Sequence, residues 1–195
     1  MAPASSVVLV HGGLGEAIDA DRFWVRPGIV RALGALGFSV AAPDRDTSPS
    51  SWAAGADALA GSIGSPSSVV AGSNGVSVAV RLALQHPTLV ERLVLLWPAT
   101  AGDTRVDAAY PAEVEHLLAG ETLRGVTDAE LATLTLPVAV MRSEPESRFH
   151  QRTTVEGLLS LLPQAVEIEP GFPEPPRPEL SGQLDAFVTA LVPHL

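Results

Sequence analysis

Ser67-Ser68-Val69-Val70-Ala71-Gly72-Ser73-Asn74-Gly75 is the stretch whose reading decides the fold. Residues 69–72 form a short apolar run that stops at a serine set among small residues. An apolar, Ala-rich run at helical spacing follows over residues 76–86. A strand, a tight turn carrying Ser, then a helix is the layout of a nucleophile elbow. Such a turn holds a hydroxyl on strained backbone at the mouth of a sheet, so its neighbours must be small. Here they are Ala71 and Gly75, giving Ala-x-Ser-x-Gly.

Working outward, other apolar runs read as strands over residues 7–10, 38–42, 93–97, 138–141 and 166–168. A continuous apolar run marks a strand covered on both faces. Helical spacing or composition predicts helices over 24–36, 51–63, 74–85 and 180–191. A further helix ends near Leu162, opened by Ser147 or Thr153. Residues 170–178 are too rich in proline for regular structure. Residues 100–135 break the rhythm with two weak helical segments, 111–119 and 128–134, and a connection of that length reads as a lid. Strands alternating with helices predict a single α/β domain over 1–195, a three-layer α/β/α sandwich on a six-stranded parallel sheet. Ligands then bind beyond the carboxyl ends of the strands, where His11, Asp44, Ser73, Pro98 and Arg142 fall.

Composition narrows the chemistry. Of 195 residues, 46% are hydrophobic, enough for a sizeable core. With no Cys, thiolate nucleophiles and Cys-ligated metals are excluded. All 12 basic residues are Arg, so no lysine Schiff base can form. A net charge of -10 argues against a nucleic-acid surface and fits a small-molecule substrate. No apolar run reaches membrane-spanning length, and residues 1–6 are too short and polar for a signal peptide, so the expectation is a cytoplasmic protein. The Gly12-Gly13-Leu14-Gly15 loop lacks the spacing of a nucleotide fingerprint, and no cluster has metal-ligand spacing. No metal and no cofactor are expected.

Taken in order, these motifs resemble the α/β-hydrolase family. Val8-Leu9-Val10-His11-Gly12-Gly13 is similar to its oxyanion strand and loop, and Ala42-Pro43-Asp44-Arg45 to the turn after the next strand. Residues 70–75 are similar to the elbow, 86–95 to the link into the following strand, and 136–140 to the strand before the acid. The resemblance implies a compact member without the family's first two strands, with sheet order 2-1-3-4-5-6. The 38–42 strand would then be an edge able to pair with a second copy, giving a monomer or a homodimer. It also implies an acid soon after the 138–141 strand: Glu146 by spacing, Glu144 beside it, with Asp103 a weaker choice. The family's catalytic histidine follows the last strand. Here that turn reads Glu169-Pro170-Gly171-Phe172-Pro173-Glu174, without His.

The site expected from these readings has Ser73 as nucleophile and the Gly13 and Asn74 amides as oxyanion donors. His150 stands in as base, in the chain order Ser, acid, His, oriented by Glu146 or Glu144. His11, Leu14, Phe23, Trp24, Trp97, His116 and Phe172 are candidates to line an apolar pocket. The plainer alternatives are a structural role for His11, core packing for Trp97, and a surface helix start for His150. Three functions follow: hydrolysis of a small apolar ester or thioester with a degenerate triad; non-hydrolytic chemistry of specialised metabolism on the same oxyanion hole; or ligand binding without turnover.

Overall fold

A computed structural model describes residues 5–195; residues 1–4, part of the segment read against a signal peptide, lie outside them. The centre of the sheet is β3 (Ser67–Gly72), buried along its whole length. It pairs in parallel with β1 (Ser6–Val10) on one side and β4 (Val90–Leu96) on the other. Beyond β1 lies β2 (Ser39–Ala41), and beyond β4 lie β5 (Val138–Met141) and β6 (Ala165–Glu167). The order β2-β1-β3-β4-β5-β6 is the expected one, and every pairing is parallel. The apolar runs within β1, β3, β4 and β5 follow from helices covering both faces.

Two apolar cores result. On one face α2 (Trp52–Ala60), α3 (Gly75–Gln85) and α6 (Arg152–Leu161) pack on the sheet, joined by Val114, Leu117, Leu123 and Leu131 of the 100–135 segment. On the other, α1 (Ile29–Ala35) and α8 (Leu184–Leu191) enclose Trp24, Trp97, Phe172 and Phe187. Trp97 stacks on Phe187 with ring centroids 5.7 Å apart. Among the described residues no helix is long and apolar enough to cross a membrane.

Several element boundaries shift for local reasons. The helix expected over 24–36 is two pieces, a π-turn at Asp21–Val25 and then α1, because Pro27 and the left-handed Gly28 (φ 93°) intervene. The 180–191 helix likewise divides into α7 (Pro178–Ser181) and α8, with Gly182 between them. Within 100–135 the chain forms α4 (Thr104–Asp107), a 3-10 stretch at Ala112–Leu117 and α5 (Asp128–Leu131), shorter than the two helical segments expected. Trp52 and Arg81 tie this segment to α2 and α3. The Trp52 indole donates to Leu117 O at 2.9 Å, and Arg81 pairs with Glu130 at 2.7 Å.

Candidate active site

Ser73 sits between β3 and α3 with φ 53°, left-handed backbone that a non-glycine residue adopts at a cost of about 1–3 kcal/mol. Its amide donates to Leu96 O at 3.0 Å, which anchors the turn to β4. The small neighbours have visible reasons. A Cβ on Gly75 would lie 2.5 Å from His11 O and 2.9 Å from Val10 O, and one on Gly12 would lie 2.9 Å from Ser73 Cβ. Both groups facing Gly75 are backbone and cannot swing away. Alanine there gains up to about 1 kcal/mol of helix propensity but overpacks by about 2–3 kcal/mol, so the clash wins. Gly75→Ala should lower Tm by about 2–8 °C in a thermal melt. An unchanged or higher Tm would contradict this close approach.

The histidine partner comes from the loop after β5. His150 Nε2 lies 3.0 Å from Ser73 Oγ. The loop is pinned in place: Thr100 N–H donates to Phe149 O at 2.8 Å, and Gln151 N–H to Thr100 Oγ1 at 2.9 Å. On the other side of the ring, Nδ1 lies 3.6 Å from Glu174 Oε1 and 3.3 Å from Ser147 Oγ. The first distance is longer than a hydrogen bond, as is common in unliganded sites. Glu174 accepts from Ser143 Oγ at 2.7 Å and pairs with Arg177 Nη2 at 2.8 Å. The imidazole and the carboxylate are 9% and 11% exposed, so water screens their attraction weakly. Burial acts to raise the Glu174 carboxyl, but His150 and the Ser143 hydroxyl outweigh it and hold it at about 2.

Glu146 and Glu144 therefore do not stand where the sequence placed them. Glu146 accepts from Arg152 N–H at 2.9 Å, at the start of α6, and Glu144 pairs with Arg142 at 3.1 Å on the surface. Asp103 pairs with Arg105 at 2.9 Å, which keeps its carboxyl well below the usual range. The carboxylate facing His150 is Glu174, from the very turn that lacks a histidine. A bridge between Ser143 and Phe172, with Glu144 N–H donating to Phe172 O at 3.0 Å, joins the loops after β5 and β6. That seam brings Glu174 beneath the imidazole.

The loop after β1 is held from behind. Arg45 Nε donates to His11 O at 2.8 Å, and its Nη2 donates to Gly12 O at 2.9 Å and Gly13 O at 2.6 Å. Arg45 N–H donates to His11 Nε2 at 3.0 Å, so that nitrogen carries no proton; the ring's proton is on Nδ1, donated to Gly12 O at 2.8 Å. Burial and the nearby Arg45 charge both lower the His11 pKa, in keeping with a neutral ring. Burial also brings Arg45 down to about 10. In a trans peptide the C=O and the following N–H point in opposite directions. With Gly12 O drawn to Arg45 and His11, the Gly13 N–H faces away from them.

The remaining candidates divide. Phe23 lies against Gly12 and Gly72, beside Ser73. Leu14 is fully buried and packs in the core that includes Val114. Trp24, Trp97 and Phe172 are core residues of the α1/α8 face, and the Trp97 indole is spent on Phe172 O at 2.7 Å; they are not pocket lining. His11 likewise belongs to the loop's internal hydrogen bonding. His116 Nε2 contacts Pro49 O at 3.1 Å. Glu174 stands where the family pattern places a base, so its position alone does not mark it as the acid. An acidic residue there, with a histidine after β5, is the signal that would have found it.

No family model matches the sequence, and no curated protein sequence matches it. Solved structures do resemble the fold. A carboxylesterase, CesB (YbfK) from Bacillus subtilis, superposes with a TM-score of 0.66 at 20% identity, covering 100% of this chain and 84% of its own. A meta-cleavage product hydrolase (CumD) from Pseudomonas fluorescens IP01 gives 0.74 at 16% identity, with 98% and 90% covered. MGS-MChE2, an α/β-hydrolase enzyme from the metagenome of lagoon sediments of Mar Chica, Morocco, gives 0.69 at 14% identity, with 97% and 90% covered. With its six-stranded parallel sheet and this near-complete overlap, the chain has the α/β-hydrolase fold.

Proposed function

We propose that the chain is a serine hydrolase of small, largely apolar esters or thioesters, with Ser73 as nucleophile, His150 as base and Glu174 as acid. The observation that carries this reading is the 3.0 Å separation of His150 Nε2 from Ser73 Oγ. His150 takes the hydroxyl proton as Ser73 attacks the acyl carbon, then returns it to the leaving alcohol or thiol. Water hydrolyses the acyl-enzyme by the same route. The Gly13 and Asn74 amides stabilise the tetrahedral oxyanion. Phe23 and Phe149, which flank the serine and the histidine, favour an apolar acyl group.

Base and acid have exchanged loops relative to the family's pattern. His150 follows β5 and Glu174 follows β6. The non-hydrolytic and binding readings drew their weight from a serine without a base, and His150 removes that motive.

The test is pre-steady-state hydrolysis of p-nitrophenyl acetate and butyrate. A burst of p-nitrophenol approaching one equivalent per enzyme supports an acyl-enzyme; ligand binding with no release would overturn the reading. Glu174→Gln should lower kcat by about 10²–10⁴-fold with KM little changed. With Ser143 donating to the side-chain oxygen, the new amide turns its N–H toward Nδ1, so the ring proton moves to Nε2 and the base is masked. Glu144→Gln and Glu146→Gln should change kcat by less than about threefold, because the first loses only an exposed ion pair, the second keeps a side-chain oxygen for the Arg152 N–H, and neither contacts His150.

A further inference from the structure

We infer that Arg124 is a positioning residue for the oxyanion hole, acting through the side chains of Asn74 and Tyr110. The inference rests on the hydrolase reading above and deepens it.

Arg124 belongs to the 100–135 segment and is only 1% exposed. Its Nη1 donates to Asn74 Oδ1 at 2.8 Å and to Tyr110 OH at 3.3 Å, while Nη2 pairs with Asp107 at 2.9 Å. The guanidinium lies over the Tyr110 ring, 4.7 Å from its centroid. Asn74 Nδ2 donates to the same Tyr110 hydroxyl at 3.2 Å. Asn74 is itself 3% exposed and follows the nucleophile directly. Its backbone amide is the proposed oxyanion donor, and its side-chain amide is gripped at both ends by residues of one distant segment.

Burying a guanidinium is costly, and the bond to Asp107 alone leaves most of its donors unpaired. A structural ion pair needs no contact with the elbow. The contacts to Asn74 and Tyr110 instead tie the charge to the residue whose N–H must be aimed. Tyr110 extends the tie to the base, because its ring packs edge-on against Phe149, centroids 6.0 Å apart, next to His150. One strut thus spans the donor after Ser73 and the loop carrying the base. A preorganised donor repays such a cost in the transition state, where the oxyanion forms, more than in substrate binding.

The test is a double-mutant cycle on the full chain, with p-nitrophenyl butyrate turnover and the affinity of an alkyl trifluoromethyl ketone as readouts. Wild-type turnover establishes the hydrolase reading first; its absence would fail that reading rather than this one. Asn74→Ala keeps the backbone amide and cuts the tie. Arg124→Gln, and Arg124→Lys should Gln fail to fold, removes the strut from the other end. Each single variant should lower kcat about 10–100-fold with KM within about threefold, and weaken the ketone by a similar factor. The double variant should be no worse than the poorer single. Additive losses, or a fall in thermal stability with kcat and ketone affinity intact, would reduce Arg124 to a structural ion pair and overturn the inference.

Discussion

Ser73→Ala is expected to eliminate the p-nitrophenol burst and to lower steady-state ester hydrolysis by about 10⁴–10⁶-fold. Neither serine in contact with the His150–Glu174 pair can take over. Ser143 Oγ is committed to Glu174 at 2.7 Å, and Ser147 Oγ lies on the Nδ1 side of His150, opposite the Nε2 that faces Ser73. The residual rate should come from the oxyanion donors and the pocket acting on water alone, which leave some catalysis when a triad member is removed. Fold integrity has its own readout here. Alanine at a φ of 53° carries the same left-handed strain as serine, so Tm should stay within a few degrees of the wild type. Retained turnover in a folded Ser73→Ala protein would mean that the elbow serine is not the nucleophile.

His150→Gln is expected to have nearly the same effect, a loss of about 10⁴-fold or more in kcat. A serine hydroxyl without a base is a weak nucleophile at neutral pH. Glutamine has no Nε2 of comparable basicity to offer at 3.0 Å from Ser73 Oγ. Residues that act as one unit are not additive, so the Ser73→Ala, His150→Gln double variant should be no slower than Ser73→Ala alone. His86→Gln is the matched control. That histidine pairs with Asp57 on the surface at 2.8 Å, and its loss should leave kcat within about twofold. A His150→Gln enzyme with near wild-type kcat would return the chain to chemistry without a base.

The elements that position the site were legible because local pattern and tertiary role agree there. The run from Ser67 to Gly75 carries both the burial of β3 and the small residues its turn requires, and the structure gives Gly75 a clash-based reason. The continuous apolar runs mark the central strands for the same reason, and the strand order follows from the resemblance to the α/β-hydrolase family. Where the reading failed, long-range contact had overruled local spacing. Glu146 lies at an acid's distance from β5 in sequence, yet its carboxylate is used at the start of α6. Glu174 lies far along the chain and meets His150 only through the seam at Ser143 and Phe172. The aromatic residues misled in a similar way. Phe23 is buried in the same α1/α8 core as Trp24 and Trp97 yet lies against the elbow, and nothing in the local sequence tells which of the three reaches it. In sequence Arg45 is a turn residue and Arg124 belongs to no motif. The partners of Arg45 are backbone carbonyls and those of Arg124 are Asn74, Tyr110 and Asp107, far apart along the chain, so neither set carries a sequence signature.

The most direct test of the Ser73–His150–Glu174 assignment is the rate and site of covalent labelling by an alkyl fluorophosphonate, read by intact mass and peptide mapping. The wild-type protein should take up one equivalent, on Ser73. The second-order labelling rate should fall by about 10³-fold or more in His150→Gln and by a smaller factor in Glu174→Gln, with no change in Glu146→Gln. Absence of an adduct on Ser73, or equal labelling of wild type and His150→Gln, would contradict it.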